Sequence, residues 1–167
     1  IKCNFISNDF EINNDEYLAN KNCNIITEIK YKEDSIEILK SNITINNFNL
    51  NLSGLFNSNN SLDLKVNTRN QQLSSVISEL PQKFIKYVSP FIFQGKIDSK
   101  VEIKGSYSKE KNPYLSLDFS ISEGVFNIKS NPFILKEIVA SGNINNGNEK
   151  NFKSTLIKFS NFNSKTK

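Results

Sequence analysis

Histidine is absent from this chain of 167 residues, and with it go the commonest general base and the commonest zinc ligand. Methionine is absent too. A chain that opens at Ile1 without any methionine is expected to be a fragment, with any signal sequence, membrane anchor or partner domain lying outside it. Arginine occurs once, at Arg69, a poor supply for phosphate or nucleic-acid recognition. Cysteine occurs twice, as Cys3 and Cys23, in no metal-like spacing. The pair allows one disulfide in an oxidising compartment, with two free thiols as the alternative. Of only six glycines, none builds a phosphate-cradling loop or a Gly-x-Ser-x-Gly elbow. Most are expected at strand ends (Gly54, Gly105, Gly124, Gly142), as turn or bulge residues. No stretch approaches the roughly 20 apolar residues that cross a bilayer as a helix. The most apolar run, Phe84 to Phe93, is broken by Lys86, Ser89 and Pro90.

The length suits a single domain with a core and is short for two. Net charge is +4, with lysines spread among Asp and Glu rather than gathered in a block. Spread charge marks a solvated strand face and argues against a nucleic-acid partner. Asparagine recurs in pairs such as Asn13-Asn14, Asn46-Asn47, Asn59-Asn60 and Asn145-Asn146. Because these interleave with ordered apolar residues, they read as the imprint of an A/T-rich genome rather than a prion-like tract. Paired carboxylates need one check, since a glycosidase requires only two. Glu33-Asp34 and Asp15-Glu16 fall in expected turns. Asp63, Asp98, Glu102 and Asp118 alternate with apolar neighbours and so should face away from them. No catalytic residue, metal ligand or cofactor site follows from this set, and an enzyme is not expected.

Period-two alternation dominates, as in strands with one buried face. Ile36, Ile38, Ile43 and Ile45 carry it first; after Asn46-Asn47 the phase flips to Phe48, Leu50 and Leu52. A tight turn at Asn46-Asn47 explains the flip, because a straight strand would send its apolar set to the wrong side. Phe48–Phe56 and Ser61–Thr68 then read as a hairpin. Further on, a strand runs from about Phe93 to Tyr107, and Lys109–Pro113 forms a polar turn. Leu115, Leu117, Phe119 and Ile121 share one side up to Glu123-Gly124. Val125–Lys129 reads as a short return strand, Ile134–Ile144 as a long one, and Phe152–Phe159 as the last. One segment breaks the pattern: Leu73, Val76, Ile77 and Leu80 recur at helical spacing. Two short amphipathic pieces, Gln71–Leu80 and Gln82–Val88, fit, with Pro81 opening the second. The expected fold is therefore mainly β, with long antiparallel strands and one helical insert around residues 71–89. Residues 1–70 and 90–167 are the two strand sets of one domain.

Three stretches resemble the C-terminal region of AsmA-like envelope proteins, the repeating-β-groove family with TamB-type members. The first is Asn49-Leu-Asn-Leu-Ser-Gly54, followed by Leu62-Asp-Leu-Lys-Val66. The second is the insert with Glu79-Leu-Pro81, leading into Gln94-Gly-Lys-Ile-Asp-Ser-Lys-Val-Glu-Ile-Lys-Gly105. The third is Asn112-Pro-Tyr-Leu-Ser-Leu-Asp-Phe119, then Glu123-Gly-Val-Phe126 and Ala140-Ser-Gly-Asn-Ile-Asn-Asn-Gly147. The resemblance covers about Phe48 to Gly147; residues 1–47 share only general strand character. It implies a sheet curled into a taco-like groove, and a bacterial periplasmic location with an inner-membrane tether outside this chain. It also implies a conduit for phospholipid between inner and outer membrane in support of outer-membrane assembly. The implied partners are phospholipid acyl chains, the membrane through parts outside this chain, and other envelope proteins.

The groove lining expected on that resemblance is the same-face set Ile43, Ile45, Leu50, Leu52, Leu62, Leu64, Val66, Ile97, Val101, Ile103, Leu115, Leu117, Phe119, Ile121, Ile138 and Ala140. From the pattern alone, an ordinary core packed sheet on sheet would look the same. The alternative function is accordingly a structural or adhesive β domain of a surface protein, with a closed core and binding in its Asn-rich loops.

Overall fold

The computed structural model describes residues 1–7, 10–12, 15–17, 21–80, 82–108, 111–130 and 132–166. Its elements are β1 (Lys2–Ser7), β2 (Phe10–Ile12), β3 (Asp15–Tyr17), β4 (Lys21–Lys32), β5 (Ser35–Ile45), β6 (Phe48–Asn57) and β7 (Ser61–Gln72). They continue with α1 (Leu73–Ser78), α2 (Gln82–Val88), β8 (Phe91–Ser106), β9 (Tyr114–Ile128), β10 (Ile134–Asn145), a 3-10 turn (Phe152–Ser154) and β11 (Leu156–Thr166). Nine strands form one antiparallel sheet in the order β1-β4-β5-β6-β7-β8-β9-β10-β11, and β2 and β3 pair separately. The sheet is a meander that does not close into a barrel. β8, at 16 residues, spans about 50 Å.

Short turns set the register. Ile45 pairs with Phe48 across Asn46-Asn47, so the phase flip is a hairpin turn. Asn46 takes φ 50° and Asn60 φ 60°, conformations that a short amide side chain tolerates better than a branched one. At least some of the Asn content thus has a structural use.

Several sequence expectations shift by a few residues, for a common reason. The ladder carries bulges, at which one strand inserts a residue and continues. β9 runs unbroken from Tyr114 to Ile128, so Val125–Lys129 is not a separate return strand. The bridge is a bulge between Gln94 and Lys96 of β8, with Glu123 at φ 54° and Gly95 at φ 120°. A side chain on Gly95 would come within 2.8 Å of the Gly124 Cα. Gly54, Gly124 and Gly142 accordingly sit inside strands β6, β9 and β10 rather than at their ends. Gln71 and Gln72 stay in β7, paired with Ile97 and Lys96 beyond a bulge at Thr68, so the first helix is shorter than the apolar spacing suggested. The last segment splits into the 3-10 turn and β11, ending at Thr166 instead of Phe159. Asp15 and Glu16 lie in β3, paired with Ile12 and Glu11, not in a turn. Asn13-Asn14, Pro81 and Lys109-Glu110 lie outside the described residues. Both cysteines are free, Cys3 exposed and Cys23 buried.

Gly54 has φ 140°, and a Cβ there would collide with the Asp63 carbonyl on the neighbouring strand. Gly54→Ala is expected to lower unfolding free energy by about 2 kcal/mol or more. Ser53→Ala, one residue away, should change it by under about 0.5 kcal/mol. Urea denaturation of both variants checks the difference.

Candidate functional site

Directly opposed residues of an antiparallel ladder project to the same side, so the register decides which side chains share a surface. All sixteen residues expected to line the groove fall on one side. One row runs Leu52, Val66, Val101, Leu117 and on to Ile144. The next runs Leu64, Ile103 and Leu115, and Leu62 stands beside Phe56. Ile43 opposes Leu50, and Ile45 stands between Cys23 and Phe48. Toward β11 another row runs Ile97, Ile121, Ala140 and Phe162, flanked by Phe119 opposite Gly142 and Ile138 opposite Gly124.

The reverse side is polar. Lys100 lies 2.7 Å and Lys104 3.4 Å from the Glu102 carboxylate. Hydrogen bonds from these two ammonium groups hold Glu102 below the usual carboxylate range, and Glu102 raises Lys100 in turn. Asp118 accepts a 2.7 Å hydrogen bond from Asn143 Nδ2, and Asp98 a 2.6 Å bond from the Asn70 backbone N–H. Asp63 opposes Lys104. These acids are spread along solvated strands and paired with cations or amides, as the alternation implied. Among the described residues no three His, Cys, Asp or Glu side chains gather where they could hold a metal ion.

Among the described residues, the apolar side has no second layer over it. Off the main sheet, the described elements are only the β2–β3 pair, two short helices and one 3-10 turn. Among the residues whose burial is described, the buried apolar ones are Cys23, Ile45, Leu64, Ile138 and Ala140, and no large side chain is fully buried. Phe159 and Phe162 keep 60% and 52% of their surface, values foreign to a closed core. The double-layered body of the alternative expectation is therefore not formed by the described residues.

Near β11 the apolar side holds a cavity of about 290 Å³, lined by Leu73 of α1 and by residues of β8 to β11 including Phe93, Phe126, Ile138, Phe159 and Phe162. Two aromatic groups border it. Phe93 and Phe126 have ring centroids 5.4 Å apart, with Phe91 5.5 Å from Phe126. Phe119, Phe159 and Phe162 meet edge-on at 5.8 and 6.0 Å. Gly142 makes the second group feasible, since a Cβ there would strike both the Lys158 carbonyl and the Phe119 ring. No family model, curated protein or solved structure matches this chain. The surface must be argued from its own geometry.

Sequence reasoning found the central rows and missed the β11 end. Phe93, Phe126 and Leu135 share the apolar side but lie across bulges, where counting by twos loses phase. Phe159 and Phe162 are three apart, yet oppose Gly142 and Ala140 on one side because the ladder shifts between Ser141 and Gly142. The density of phenylalanine in these segments was the available signal.

An uncovered face makes a stability prediction. Phe159→Ala should cost under about 1.5 kcal/mol, against the 3–5 kcal/mol of a sealed aromatic. Ile138→Ala, in the packed row, should cost about 2–3 kcal/mol. Chemical denaturation of the two variants measures the contrast.

Proposed function

We propose that this chain is a non-catalytic lipid-binding segment that conducts lipid in an AsmA-like bacterial envelope protein. In this reading it works in the periplasm, supporting phospholipid transport between inner and outer membrane and outer-membrane assembly. The observation that carries the reading is that sixteen apolar residues on six strands, β5 to β10, form one continuous surface with no second layer over it among the described residues.

Solvent physics supplies the mechanism. Keeping hydrocarbon out of water is worth about 0.8 kcal/mol per methylene, so an acyl chain lying on this surface recovers most of that along its length. The same contact removes water from the apolar rows, so both partners gain. The sixteen lining residues carry no ionic group to grip a headgroup, which stays in water at the sheet edge while the tail moves between equivalent apolar contacts. Equivalence matters for a conduit, because a tail that meets similar rows along the sheet has no deep well to stop in. Such a step needs no nucleotide, metal or covalent intermediate.

A photoreactive amino acid at Leu117 or Ile103 is expected to crosslink acyl chains of phospholipid copurifying with the protein. The same amino acid at Asp118, on the polar side, should not. Mass spectrometry of the crosslinked protein reads the result. Delipidated protein with no lipid adduct at either apolar position would count against the proposal.

A further inference from the structure

We propose that α1 is a strap on the apolar side of the sheet, its far end pinned beside the Cys23–Ile45 row, that opens and closes by making and breaking a clasp between Glu79, Lys21 and Asn46. The inference does not depend on what the surface binds.

The ladder does not need α1. β7 leaves the sheet after Gln72, which already pairs with Lys96 of β8, and β8 continues alone against β9 back to Phe91. Residues 73–90 therefore project from a completed hairpin, and lifting α1 breaks no strand-to-strand hydrogen bond. Nor does α1 hold itself in place. It has six residues, no side-chain N-cap, no acid in its first turn, no base in its last turn and no buried residue. A helix this short is unstable unless something docks it.

Leu73 rests the first turn of α1 against the cavity near β11, and the clasp docks the other end. Glu79, the residue after Ser78, keeps a side chain only 12% exposed and places Oε2 2.9 Å from Lys21 Nζ at the start of β4. The contact is an ion pair without a well-aligned hydrogen bond at that oxygen. Asn46 Nδ2, in the β5–β6 turn, donates to Glu79 Oε1 at 3.2 Å, and Lys21 Nζ reaches the Ser78 carbonyl at 3.4 Å. Three polar contacts thus join α1 to strand ends 33 and 57 residues away in sequence. Nearby, Cys23 and Ile45 are among the few buried apolar residues of the sheet. They oppose one another in the row nearest that turn. Burial, and then the Glu79 charge, push the Cys23 thiol upward. Cys23 is a built-in reporter of the closed strap.

The test uses the full chain carrying Cys3→Ser, so that Cys23 is the sole thiol, and follows its maleimide labelling at neutral pH without denaturant. Lys21→Met should accelerate labelling about five- to tenfold, the weight of one partly buried charged contact. Electrostatics alone predicts the opposite sign, because removing a nearby cation disfavours the reactive thiolate. Lys21→Arg, which can restore the ion pair, should label close to the parent rate. Unchanged or slower labelling in Lys21→Met would overturn the strap. So would an acceleration that rises with urea as steeply as global unfolding does, since opening α1 alone exposes little surface.

Discussion

The constraint behind this molecule is an apolar sheet face over which the described residues place no second layer. Most domains bury such a face against another sheet or a set of helices. Here the lateral contacts between neighbouring side chains within each row do much of that work, together with the backbone ladder. This explains why so many apolar residues are only half-buried, while among the described residues only a few, such as Leu64 and Ala140, are buried. Stability must then come from length, since each added residue of a paired strand contributes two neighbours on its own face. Strands of ten to sixteen residues across β4 to β11 fit that demand.

The bulges follow from the same constraint. A long strand twists, and without inserted residues the apolar rows would drift out of line across nine strands. Register shifts between Thr68 and Gln71, Gln94 and Lys96, and Ile138 and Ala140 bring each row back to the common side. Residues tolerant of positive φ stand at two of them, Asn70 at φ 50° and Gly95 at φ 120°, while Glu137 takes φ 51° at a further shift between Leu135 and Ile138. Placing Glu137 in that conformation costs free energy, and its carboxylate is held 2.6 Å from Lys165 of β11.

Alternation and turn chemistry made the strand class, the Asn46-Asn47 hairpin and the shared side of rows such as Leu64–Ile103–Leu115 readable from residues alone. These depend on neighbours in sequence or on two-residue turns. The continuity of β9 through Glu123-Gly124 was not readable, because a bulge and a turn both use glycine and differ only in what lies opposite. The clasp was hidden for another reason: Lys21, Asn46 and Glu79 are far apart in the chain, and nothing local marks them as partners. That a face stays open is equally silent in a pattern, since a sealed core and a bare surface alternate alike.

The central claim is that this face is open to hydrocarbon in solution. Methyl NMR of isoleucine-labelled protein with a doxyl-labelled fatty acid tests it most directly, since the nitroxide broadens only methyls that it can approach. The account predicts selective broadening of Ile97, Ile103 and Ile121, with Ile26 and Ile92, which project to the polar side, left sharp. Equal broadening on both sides, or none at Ile97, Ile103 and Ile121, would contradict it.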